Sequence, residues 1–246
     1  HLEAAEEIYL DENELAAGLD YFDLGDLDIS TDGKLVAYAT DTDGSETYTL
    51  RVKDLGTGAL LPDTIQDIES VVWATTDRHF FYTVRDAAKR PWRVYRHTLG
   101  ADPATDALVY EEPDNLYNVA LYRTRSDAAI LIGSASSTTT EWHWLPADRP
   151  EEALRIIEPR QADHEYYVDH HDTRFFIRTN WQAKEFRVMT AAMTAPDRAL
   201  WQEVLPDRPG VKVADIDLFL GFWVAWEREK GLERIRITSF ADDASH

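Results

Sequence analysis

Several groups of residues in this chain have types that perform chemistry, and each can be held against the spacing that chemistry demands. A serine nucleophile of the hydrolase kind needs a sharp strand-to-helix turn, G-x-S-x-G, that projects the hydroxyl toward a histidine and the oxyanion donors. No such pentapeptide occurs. The nearest stretch, Gly133-Ser134-Ala135-Ser136-Ser137, lacks the second glycine and lies between two strand-like runs, so it reads as a polar β-turn. The acidic loop Asp41-Thr42-Asp43-Gly44-Ser45-Glu46 invites a calcium reading, but a loop with Gly44 at its sixth position needs an acid at 39 and a Glu at 50. Those positions are Ala39 and Leu50, and a hairpin turn fits better.

Asp163, His164, Asp169, His170, His171 and Asp172 have metal-ligand types. In an extended chain adjacent His170 and His171 point to opposite faces, so at most one joins His164 on a given side, and a surface turn is expected. His79, His97 and His143 lie in or beside strand-like runs without a matched partner, which makes rim or satisfied positions the expectation. Trp73, Trp92, Trp142, Trp144, Trp181, Trp201, Trp223 and Trp226 recur along the chain at similar places in successive runs, as packing between repeated units would require. Arg90-Pro91-Trp92-Arg93 is a basic and aromatic hairpin suited to packing against another domain. The sequence thus assigns no catalytic, cofactor-binding or metal-ligating residue and leaves any substrate-binding residues unknown.

The elements that position these groups are short and evenly repeated. "KLVAYAT" near Tyr38 recurs as "RHFFYTV" near Tyr82, "AAILIGS" near Ile132, "TRFFIRT" near Ile177 and "GFWVAWE" near Val224, in steps of 44, 50, 45 and 47 residues. Each has a strand-like run and a polar turn before it ("LDISTDG", "VVWATTD", "VALYRTRSD", "YYVDHHD", "VADIDLFL") and a third run after it. Fourth runs close the first four units at "LLPD", "ALVYEE", "LRIIEPR" and "LWQEVLP". Asp-Gly pairs such as Asp32-Gly33 and Asp43-Gly44 tolerate the positive φ of tight turns, so the units read as hairpins in series.

A four-stranded unit of about 40 to 50 residues is the period of a β-propeller blade. A β-sandwich has similar turn spacing, but five aligned units favour the propeller. The expected fold is all-β: one incomplete propeller domain over 1–246, with units at 24–63, 70–112, 117–160, 165–206 and 212–240, the last without its fourth strand. Residues 6–11 are expected to be the outer strand of a preceding blade. In "DENELAAGL", Asp11 or Asn13 would cap a single helical turn.

Charge and composition bound the partners. Forty-six acidic and 25 basic residues give a formal charge of -21, which repels nucleic acid and anionic membranes and attracts cationic peptides. There is no cysteine, which removes disulfides, zinc knuckles and thiol nucleophiles. No run approaches the roughly 20 apolar residues of a membrane helix. The acidic start lacks the plan of a signal peptide, and a cytoplasmic location is expected.

The stretch "YLDENELAAGLDYFDLGDLDISTDGKLVAYATDTDGSETYTLRVKDLGTG" resembles the propeller of the oligopeptidase B (protease II) branch of the prolyl oligopeptidase family of serine peptidases. "RPWRVYRHTLGADPATDALVYEEPDN", "GSASSTTTEW", "TNWQAKEFRV" and "EREKGLERIRI" carry the likeness through nearly the whole chain. The resemblance implies a seven-bladed propeller capping an α/β-hydrolase domain of the same parent chain, of which this chain holds four blades and parts of two others. It implies a parent that hydrolyses short peptides after Arg or Lys without a cofactor, with the propeller as a steric filter. This chain alone is then expected to be inactive. The alternative is a stand-alone propeller-like module that binds a protein partner or its own copy through exposed blade faces.

Overall fold

The computed structural model describes residues 7–242, and nearly all of the regular structure there is strand. One helical turn, α1 (Glu12–Leu15), precedes eighteen strands. These are β1 (Asp23–Ile29), β2 (Leu35–Asp41), β3 (Tyr48–Asp54), β4 (Leu60–Trp73), β5 (His79–Arg85), β6 (Pro91–Thr98), β7 (Ala107–Glu111), β8 (Asn118–Arg123) and β9 (Ala129–Ala135). There follow β10 (Thr140–Pro146), β11 (Arg155–Glu158), β12 (Tyr166–His171), β13 (Arg174–Thr179), β14 (Arg187–Ala192), β15 (Gln202–Leu205), β16 (Val211–Leu218), β17 (Phe222–Glu229) and β18 (Leu232–Ser239). Within each sheet the strands pair antiparallel with their chain neighbours, so the architecture is a series of meanders. The chain divides into two compact units between Glu111 and Glu112.

The first unit is one seven-stranded sheet in the order β1 to β7. It joins two meanders because β4, 14 residues long, is the outer strand of one and the inner strand of the next. Its first part pairs with β3 and its last part, Ile68 to Trp73, with β5. The separate runs expected at "LLPD" and "VVWATTD" are therefore one strand. Asp67 at φ 57 and a register shift between Ile68 and Ser70 bend the chain from one meander to the next without ending the ladder.

The second unit holds three sheets: β8 to β11, β12 to β15, and the three-stranded β16 to β18. The middle strands β2, β9 and β13 are buried on both faces, which is why their sequences are nearly unbroken apolar runs rather than alternating ones. One core in the first unit gathers Ala37, Leu50, Ile68, Trp73 and Phe80. In the second unit Trp142, Trp144, Tyr166, Phe175 and Ile177 form one core between consecutive meanders, and Phe176, Val188, Val213 and Trp223 form another. Full burial of such side chains stabilises by about 1.5–3 kcal/mol each.

One turn design links first and second strands in three of the meanders. Ser30 N–H donates to Leu35 O and Gly33 N–H to Ser30 O; Ala74/His79 with Asp77, and Thr124/Ala129 with Asp127, repeat both bonds. The fourth residue of each turn has positive φ, at 71°, 53° and 58° for Gly33, Asp77 and Asp127. Glycine and aspartate are the types that tolerate this region.

The outer strand expected over residues 6–11 does not form over 7–11, and residue 6 lies outside the described residues. An outer strand needs the third strand of its own meander alongside, and none precedes it among the described residues. Instead Asp11 caps α1, accepting from Asn13 N–H at 2.9 Å and Glu14 N–H at 3.3 Å, while Lys53 donates to Tyr9 O at 2.9 Å.

Candidate functional site

The Ser/Thr stretch is the end of β9 and the turn into β10, not a strand-to-helix elbow. Ser134 is fully buried and its hydroxyl donates to Glu112, which also pairs with Arg160. Burial alone would raise the Glu112 carboxyl, but the bonds from Arg160 and Ser134 outweigh it and hold the group below its ordinary value. Arg160 also reaches Glu141 at 3.2 Å and lies 4.2 Å from the Tyr117 ring centroid. Ser134 is thus one donor in a structural network. Gly133 is required by packing: a Cβ there would lie 2.8 Å from the Trp142 ring opposite.

The acidic loop after β2 is a hairpin closed by its own carboxylates. Asp41 accepts from the N–H groups of Asp43, Gly44 and Glu46 at 3.0, 3.1 and 2.8 Å, and these bonds, the one from Asp43 first, lower its pKa.

The histidine cluster is dispersed, and two of its members correct the surface-turn expectation. His164 and His170 are each only 3 % exposed, His170 on β12 and His164 in the segment leading into it. His164 lies against Tyr166, Trp181 and Trp201, with Nε2 3.0 Å from Thr179 Oγ1, and burial pushes its pKa down to about 4. His170 Nδ1 is 2.9 Å from Ser126 Oγ in the preceding meander, and His171 stacks on Phe240 at 3.7 Å. Asp163 and Asp172 do sit in turns, at φ 62° and 55°.

His97 and His79 occupy satisfied positions. His97 is fully buried with Nδ1 2.8 Å from Asp106 and Nε2 2.9 Å from Asp63, so both ring nitrogens face carboxylates. His79 Nδ1 lies 3.1 Å from Thr76 Oγ1, and half-buried His143 has Nε2 3.9 Å from Glu141.

Four tryptophans, Trp73, Trp142, Trp144 and Trp223, join meanders. Trp73 Nε1 donates to Asp28 O and Trp142 Nε1 to Tyr166 O, each on the inner strand of an adjacent meander. Trp144 and Trp223 are buried, Trp201 donates to Pro196 O, and Trp181 lies under Arg198 at 3.8 Å. Trp226, 43 % exposed, donates to Asp217 at 2.7 Å. In the basic hairpin Arg93 covers Trp92 at 3.8 Å and pairs with Glu111 at 2.6 Å, and Arg90 pairs with Asp86 at 2.9 Å. Lys89 reaches across to Thr47 at 3.2 Å.

Two features of the second unit had no motif to announce them. One is an open cleft of about 410 Å³. Tyr122, Arg125, Asp169 and Asp217 line it, Arg125 bonds Asp217 at 3.1 Å, and burial raises Asp169. The other is Arg178, at 8 % exposure the one buried arginine among the described residues. It stands on β13 in a run read only as a buried strand, and an arginine inside "RFFIRT" was the available signal. The side chains of the cleft can hold charged groups by hydrogen bonds and ion pairs, and nothing in their arrangement activates a nucleophile.

The whole chain, residues 1–246, matches the family model described as the N-terminal β-propeller domain of prolyl oligopeptidase. The chain belongs to that family. It is 40 % identical over 245 residues to dipeptidyl aminopeptidase BI of Pseudoxanthomonas mexicana, covering 98 % of this chain and 34 % of the relative. It is 34 % identical over 190 residues to Protease 2 of Moraxella lacunata, covering 76 % of this chain and 28 % of the relative. Among solved structures it is similar to oligopeptidase B from Trypanosoma brucei with covalently bound antipain in a closed form (TM-score 0.88, 29 % identity, 97 % of this chain and 34 % of that one). It is also similar to oligopeptidase B from Leishmania major (TM-score 0.89, 27 % identity, 98 % of this chain and 34 % of that one). The propeller chain thus spans about a third of the length of these relatives. No helix among its described residues is long and apolar enough to cross a membrane.

Proposed function

We propose that this chain is the non-catalytic propeller of a serine oligopeptidase whose parent hydrolyses short peptides on the carboxyl side of Arg or Lys. The observation that carries the reading is the propeller match over all 246 residues, together with the likeness to oligopeptidase B and Protease 2. The α/β-hydrolase domain of the parent supplies the serine that attacks the carbonyl, the histidine that moves the proton and the aspartate that orients it. The propeller contributes sterically, admitting short flexible chains and keeping folded proteins from the serine. Its charge of -21 also draws cationic peptides toward the site.

The test is a comparison on the full-length parent. An arginyl amide in a short peptide is expected to be cleaved at least about 100-fold faster, in kcat/KM, than the leucyl analogue or the same arginyl sequence in a rigid folded protein; 100-fold corresponds to about 2.7 kcal/mol. Equal cleavage of the leucyl peptide would sink the specificity, and equal cleavage of the folded protein would sink the filter. The 246-residue chain by itself is expected to show no turnover of either substrate.

A second role is favoured by one observation. The last strand, β18, has an unpaired edge among the described residues, and Trp226, Leu232 and Ile235 on this sheet are 43 %, 66 % and 54 % exposed. Such a surface favours association, with the rest of the parent chain or with a second copy.

A further inference from the structure

Arginines of the second unit are nearly all matched to carboxylates. Arg125, Arg160, Arg187, Arg198 and Arg208 each lie within 4 Å of an Asp or Glu oxygen. Arg178 is the exception that matters, because it is the buried one. No carboxylate of a described residue comes within ion-pair distance; Glu165 and Asp215 act on it only from farther away. Its Nε is buried without a hydrogen-bond partner.

Two rings flank its guanidinium, with Cζ 4.1 Å from the Tyr167 ring centroid and 4.7 Å from that of Phe186, and the Tyr167 hydroxyl, which donates to Glu165 at 3.3 Å, also accepts from the guanidinium. A second cation, Lys212 Nζ, stands 5.4 Å from the Phe186 ring. Burial outweighs the opposing influence of Asp215, Tyr167 and Glu165 and lowers the Arg178 pKa, so the folded protein carries a desolvation cost there that an anion would offset. A chain of net charge -21 had carboxylates enough to pair this residue and does not. Aromatic faces fix the plane of a guanidinium and leave its edge for a forked contact, the geometry that matches a carboxylate.

We propose that Arg178, set between Tyr167 and Phe186 with Lys212 nearby, is a receptor for the carboxylate of a short peptide. The claim rests on the reading of this chain as the propeller of a peptidase. Two parallel N–H···O bonds form from the guanidinium to the carboxylate, and the half-buried Tyr167 ring offers apolar surface to the adjoining residue. Glu165 and Asp215 give the surroundings a negative field that suits a peptide whose side chain is basic.

The test uses the 246-residue protein and a matched pair of probes, acetyl-Gly-Gly-Arg with a free carboxylate and the same peptide as its C-terminal amide, with affinity read by calorimetry. The free acid is expected to bind at least about 10-fold tighter than the amide, and Arg178→Met is expected to reduce that ratio to about 1. Equal binding of acid and amide by the wild type overturns the proposal, as does a preference that survives Arg178→Met. The methionine variant is expected to melt no lower than wild type, since it replaces an unpaired buried charge by an apolar chain of similar reach. A melting point more than about 5 °C lower, which corresponds to about 2 kcal/mol, would make Arg178 a structural strut and also overturn the proposal. If the variant does not fold, the Arg178 Nε–H resonance of the wild type decides: it shifts with the acid and not with the amide, or the proposal fails. Binding is read without cleavage, so its failure is separable from failure of the peptidase reading.

Discussion

Replacing Tyr166 by phenylalanine removes one oxygen from a fully buried site and strands three backbone groups. The Tyr166 hydroxyl donates to Glu158 O and accepts from Trp142 N–H at 2.8 Å and Glu158 N–H at 3.2 Å. It is needed there because the β10–β11 ladder slips between Trp142 and His143: Trp142 faces Glu158, but His143 faces Ile156. The slip leaves backbone groups without strand partners, and a phenol from the next meander fills the gap. Each buried group left unmet costs about 1–3 kcal/mol, and relaxation recovers part, so Tyr166→Phe should destabilise by about 3–4 kcal/mol. At about 2–4 °C per kcal/mol, the melting point falls by roughly 10 °C. Urea unfolding followed by tryptophan fluorescence measures the loss directly, with Tyr21→Phe, at a site 44 % exposed, as the neutral control. A loss below about 1 kcal/mol would refute the argument, showing that the slipped ladder is satisfied without the phenol.

Two other outcomes follow from the same unit. His164 titrates near 4 in the folded chain, lowered chiefly by burial and then by Arg198, against about 6.5 unfolded. Between those values the unfolded chain holds more protons, so this contribution is full above about pH 6.5 and is lost as pH falls through 4; it amounts to at most about 3 kcal/mol. His164→Gln should flatten denaturation curves compared at pH 7 and pH 4.5, and an unchanged pH slope would remove His164 as their source. Gly133→Ala drives a methyl into the Trp142 ring, where overpacking costs about 1–3 kcal/mol; an unaltered unfolding midpoint would show that the indole yields freely.

Much of the architecture was legible in the chain because a meander is encoded locally. Asp32-Gly33, Thr76-Asp77 and Ser126-Asp127 each place a residue that tolerates positive φ at the fourth turn position, and each turn closes the same pair of backbone bonds. The doubly buried middle strands advertise themselves as apolar runs, and the recurring tryptophans signal packing between units. Strand ends were less legible. Nothing local distinguishes a loop between "LLPD" and "VVWATTD" from the continuous β4, since the bend at Asp67 depends on two partners, β3 and β5, that claim opposite ends of one strand.

By itself the sequence determined the class of fold, the repeat, the negative field and the absence of a nucleophile elbow, because these depend on residue type and on spacing over a few residues. Tertiary structure decided which polar groups are spent. It gave Ser134 to Glu112, set His97 between Asp63 and Asp106, and buried His164 against Trp181 and His170 against Phe175. It also showed that Arg178, signalled in the chain only by its place inside "RFFIRT", is buried without an ion pair among the described residues. Whether a charge has a partner is a matter of distances between strands far apart in sequence, and only packing sets those distances.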